Sequence, residues 1–83
     1  MEVEEIIKTV NAVFTDILDN DDIVIRRETT SSDIEEWDSL THIQLVVAIE
    51  KKFKIRFLSS EIQGFKNVGE MCLCILNKLE EKS

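Results

Sequence analysis

Eighty-three residues with a formal net charge of −7 make one domain, 1–83, with a modest core and no room for a second. A helical bundle this small hardly encloses the roughly 300 Å³ or more of a substrate pocket, which disfavours an independent enzyme. Twelve acids and three bases run through Asp38, and five acids and seven bases follow from Ser39; this anionic first half argues against a nucleic-acid ligand and suits basic protein surfaces, or simply a solvated face.

Val3, Ile6, Ile7, Val10, Val13, Phe14, Ile17 and Leu18 recur at helical spacing and predict a first helix that opens on Glu2, Glu4 and Glu5 and stops near Leu18. Asp19-Asn20-Asp21-Asp22 supplies turn formers. The connection from Asp19 to Asp38 is long for a helix-helix loop, so it needs packing or a function of its own. Ile23, Val24 and Ile25 are expected to anchor it, with Ile34 and Trp37 as further plugs, while Thr29 to Asp33 reads as a short helical turn. From Glu28 to Asp38 acids occur without a base.

Ser39 to Phe53 predicts the second helix, with Asp38 as N-cap. Its serine hydroxyl should stand in water at the positive end of a helix dipole, a setting that favours an attached phosphate. Leu45, Val46, Ile49 and Phe53 form one apolar stripe, and Leu40, Ile43 and Val47 a second, displaced one. Either the helix is buried broadly, or the second stripe stays partly exposed as a patch for a partner protein.

Lys54-Ile55-Arg56-Phe57-Leu58 reads as an extended connector with Ile55 and Phe57 turned inward. Ser59 to Gln63 reads as one helical turn closed by Gly64, after which Phe65 packs inward. Asn67-Val68-Gly69-Glu70 carries a helix-start signature that Gly69 weakens. The last helix places Val68, Met71, Cys72, Ile75, Leu76 and Leu79 on one face, and its tail from Glu80 to Ser83 is expected to fray. The fold class is therefore all-α, a small bundle of three principal helices and one short one, with a long loop between the first two.

Cys72 and Cys74 point about 200° apart on a helix and cannot easily bridge, so they read as reduced thiols. The lone His42 is far from them in sequence, which leaves no metal site. No signal-peptide pattern and no membrane-spanning run occur, and the expected compartment is the cytoplasm.

Asp38-Ser39-Leu40 opening the second helix of a short acidic chain resembles the acyl carrier protein family, and the likeness runs from about Leu18 through Phe53 into the last helix. The resemblance implies a 4'-phosphopantetheine arm, derived from coenzyme A, on Ser39. Such an arm holds acyl intermediates as thioesters for partner enzymes, and the chain itself has no catalytic activity. It implies a phosphopantetheinyl transferase and acyl-activating, condensing or acyltransferase enzymes as partners of a monomer. By the same resemblance Asp38 helps the transferase and its magnesium ion, although a plain N-cap accounts for the same residue. Leu40, Ile43 and Val47 match positions of apolar partner contact, and Val46, Ile49 and Phe53 match interior positions bordering the space for a sheltered acyl chain.

The chain also departs from the family's pattern. Glu36, Thr41 and Gln44 stand where fatty-acid carriers have Gly and two acids, and Glu50-Lys51-Lys52-Phe53 replaces three acids before Phe. Recognition is thereby expected to move to Glu35, Glu36 and Asp38, and Trp37 resembles carriers of specialised pathways. Aminoacyl, D-alanyl or peptidyl carriers share the modified serine, and an unmodified acidic adaptor is a further alternative. A catalytic serine using His42 and Asp38 is disfavoured, because no oxyanion loop is recognisable and His42 projects near Ile49 and Phe53.

Overall fold

The computed structural model describes residues 2–82. Its helices are α1 (Val3–Leu18), α2 (Ser39–Phe53), α3 (Ser59–Gly64) and α4 (Val68–Lys82), and no strand occurs among the described residues. Both α2 and α4 pack on α1. Apolar residues spaced at three and four supply the reason: Ile6, Val10 and Phe14 of α1 meet Leu45, Val46 and Ile49 of α2 and Val68, Met71, Cys72 and Ile75 of α4 in one buried core.

Two helices end on a left-handed residue that is not glycine. Asp19 (φ 52°) closes α1 through its N–H to the Thr15 carbonyl, and Lys54 (φ 58°) closes α2 through its N–H to Glu50. Gly64, by contrast, is the last residue of α3 and not a left-handed cap; extended Phe65 follows it.

The long loop contains turns but no helix; the turn expected at Thr29 to Asp33 is a single one, closed by the Asp33 N–H to the Thr30 carbonyl at 3.0 Å and by the Thr30 N–H to Asp33 Oδ2 at 2.9 Å. Ile23, Ile25, Ile34 and Trp37 are buried as anchors, but Val24 is 73% exposed. Burial alternates through Ile23, Val24 and Ile25, so only one parity of this segment faces the core. Polar contacts hold it in register. The side chain of Asn11 on α1 accepts the Ile25 N–H at 2.7 Å and donates to the Ile23 carbonyl at 3.3 Å. At the start of α4, the N–H groups of Val68 and Gly69 donate to the carbonyls of Thr29 (2.9 Å) and Arg27 (2.8 Å).

Asn67 caps α4 through Oδ1, which accepts the Glu70 N–H at 2.9 Å, while the Glu70 carboxylate takes the Lys66 N–H at 3.3 Å. The helix carries on past Glu80 and Glu81, where fraying was expected; Ser83, the rest of that tail, lies outside the described residues.

Candidate functional site

Asp38 positions the serine that follows it. Its extended backbone (φ −121°, ψ −172°) brings the chain into α2, and its Oδ1 accepts the N–H groups of Leu40 (3.0 Å) and Thr41 (2.9 Å). In return Thr41 Oγ1 accepts the Asp38 N–H at 2.8 Å and donates to the Glu36 carbonyl at 2.8 Å. This reciprocal cap fixes the helix start. These bonds, that from the Thr41 amide foremost, hold the Asp38 carboxyl below its ordinary range.

Ser39 is exposed, and its hydroxyl makes no hydrogen bond to another described residue. The oxygen is therefore free to be esterified. The helix end beside it differs from a bare anion site, because the amides of Leu40 and Thr41 are already taken by Asp38 and that carboxylate offsets part of the dipole. A phosphate on Ser39 would stay in solvent and not be gripped by the first turn.

Beside Ser39 lies an open groove of about 380 Å³, walled by Trp37, His42, Ile43, Ile62 and Phe65, with Lys66 at its edge. A hydrogen-bonded relay ties its walls together. Trp37 Nε1–H donates to His42 Nδ1 at 3.0 Å, so the imidazole proton sits on Nε2 and donates to the Ile62 carbonyl at 3.0 Å. Edge and stacked ring contacts extend the relay in both directions, from Phe14 through Trp37 and His42 to Phe65 and Phe57. With both ring nitrogens engaged elsewhere, His42 has no lone pair for the Ser39 proton, which removes the hydrolase arrangement.

Leu40 (70% exposed), Ile43 (51%) and Val47 (42%) project from α2, while Val46, Ile49 and Phe53 are buried. The two stripes thus divide, the first toward solvent and the second into the core. Glu35, Glu36 and Asp38 are exposed just ahead of the helix, and Glu36 Oε2 accepts from Asn20 Nδ2 at 2.8 Å. Ser39, the apolar strip and the acidic loop end therefore adjoin around one helix start. The sequence reading missed Thr41 and the Trp37–His42 bond; a hydroxyl three residues after the capping Asp was the available signal for the first.

The cysteines are not brought together for chemistry. Burial pushes the thiols of Cys72 and Cys74 up to about 11, Cys74 also through Glu61, whose carboxylate accepts its S–H at 3.4 Å. Among the described residues no cluster of His, Cys, Asp and Glu is placed to hold a metal ion, and no helix is long and apolar enough to cross a membrane.

A family model described as "Phosphopantetheine attachment site" matches residues 5–75. Among solved structures, the chain is similar to the solution NMR structure of a holo acyl carrier protein from Geobacter metallireducens, with a TM-score of 0.86 and 39% identity, covering 92% of this chain and 87% of that one. No curated protein matches it.

Proposed function

Because the chain belongs to the phosphopantetheine-attachment family, we propose that Ser39 is the residue that carries its 4'-phosphopantetheine arm. The chain is an acyl carrier protein with no catalytic activity of its own, serving a phosphopantetheinyl transferase and partner enzymes. The arm supplies a thiol that holds the acyl cargo. The observation that supports Ser39 is its unengaged hydroxyl, exposed directly after the capping Asp38 at the start of a 15-residue helix.

The chain's own residues do three things in this reading. Asp38 and Thr41 lock the helix start, so that the transferase meets the hydroxyl in one fixed geometry; Asp38 also offers that enzyme and its magnesium ion a carboxylate kept ionised by its bonds. Leu40, Ile43 and Val47 give acyl-activating, condensing or acyltransferase partners an apolar contact. Glu35 and Glu36 steer basic surfaces toward it. The 1–83 unit acts as a monomer in the cytoplasm.

Intact-mass measurement after incubation with coenzyme A and a broad-specificity transferase tests the assignment. One phosphopantetheine should be gained by the wild type and none by Ser39→Ala. A gain on Ser39→Ala, or none on the folded wild type, would contradict it.

A further inference from the structure

The exposed strip of α2 does not end at Val47. Lys51 follows about one turn later on the same face, and both line an open groove of about 910 Å³ together with Lys54, Ile55, Arg56 and Lys78. Lys51, Lys52, Lys54 and Arg56 are four cations in six residues, and no acid intervenes between Glu50 and Glu61. Of the groove's two carboxylates, Glu50 is held inward by the Phe57 N–H at 2.8 Å and Glu81 stands on α4. Lys78 is matched by Glu61 at 2.9 Å, whereas Lys51 and Arg56 are exposed and form no ion pair among the described residues. On a chain of net charge −7, this is a cationic area at the opposite end of the helix from the acidic loop. The helix thus presents, from one end to the other, acid, apolar strip and base.

We infer that partner enzymes dock along α2 with a divided surface, basic beside the entrance for the arm and acidic about 18 Å away, the rise of the 12 residues from Ser39 to Lys51. This rests on the carrier reading for its first half only; the cationic end stands on the residues themselves. A second copy of this chain is a poorer occupant, since laying its acidic loop on this groove makes a head-to-tail contact that does not close. An anionic membrane is poorer too, because Glu35, Glu36 and Asp38 stand exposed just ahead of the same helix.

The test uses a condensing enzyme with basic residues around its arm entrance, in its native form and with glutamates introduced about 18 Å from that entrance. Association rates are measured by stopped flow for the wild-type chain and the Lys51→Glu/Arg56→Glu variant, each with and without the arm, so that the surface is read even if loading fails. Intact mass reports loading separately. The wild type should associate about tenfold faster with the glutamate-bearing form at low salt, the variant should reverse that order, and both differences should shrink in high salt. Equal rates, or a wild-type preference for the native form, would overturn the inference. So would a wild-type dimer in sedimentation equilibrium that the variant abolishes, or wild-type binding to phosphatidylglycerol vesicles that the variant loses.

Discussion

Asp38 commits its carboxylate to the amides of Leu40 and Thr41, so a phosphate placed on the neighbouring serine would meet a negative group and not open donors. With the arm on Ser39, as proposed, that repulsion would keep it in solvent, which suits a group that other proteins must take hold of. The cysteines illustrate the opposite environment. Cys72 is fully buried, and its thiol rises from 9.0 to about 11. An acid whose folded value is raised holds its proton where the unfolded chain has lost it, so its stabilising contribution is whole below pH 9 and disappears as the pH rises toward 11. Denaturant midpoints should fall across that window, and the fall should be smaller in Cys72→Ala. An unchanged midpoint for the wild type would contradict the burial argument.

At the scale of elements, the docking of the loop on α4 turns on Gly69. A β-carbon there would lie 2.9 Å from the Arg27 carbonyl oxygen, a backbone atom that also accepts the Gly69 N–H. Gly69→Ala should therefore destabilise the fold by about 1–3 kcal/mol in chemical denaturation, although alanine is the better helix former. A gain in stability would show that the loop yields easily. The same residue marks where sequence reading reaches its limit. The bounds of α1 and α2, the start of α4 and the division of their apolar faces were legible, because periodicity and caps act over a few residues. Gly69 looked only like a weakness, and Asn11 like any polar helix residue, because their partners lie 42 and 12 or 14 positions away in the chain. Val24 was misjudged for a related reason: three adjacent apolar residues do not tell which parity an extended segment turns inward. At the site, Ser39 and Asp38 stood out from the motif, whereas the relay from Trp37 through His42 to Ile62 depends on where α3 folds back.

Across the whole molecule, charge is distributed in sequence and in space alike. The half through Asp38 carries −9 and the half from Ser39 carries +2, the sum being the −7 of the chain. The exposed strip of α2 lies between the two regions. The long-range steering proposed for the acidic loop belongs to this scale, since it would act before any contact forms. Glu36 also anchors Asn20, so the clean variant is Glu35→Lys with Glu36→Gln, which keeps an oxygen for that bond. It should slow association with basic partner enzymes several-fold at low salt and less at high salt. An unchanged rate would remove the loop from recognition.

Everything at the larger scales depends on which oxygen carries the arm. Tandem mass spectrometry of peptides from the loaded protein reads it directly. Phosphopantetheine is expected on Ser39 alone; its appearance on Ser31, Ser32, Ser59 or Ser60 would contradict the assignment.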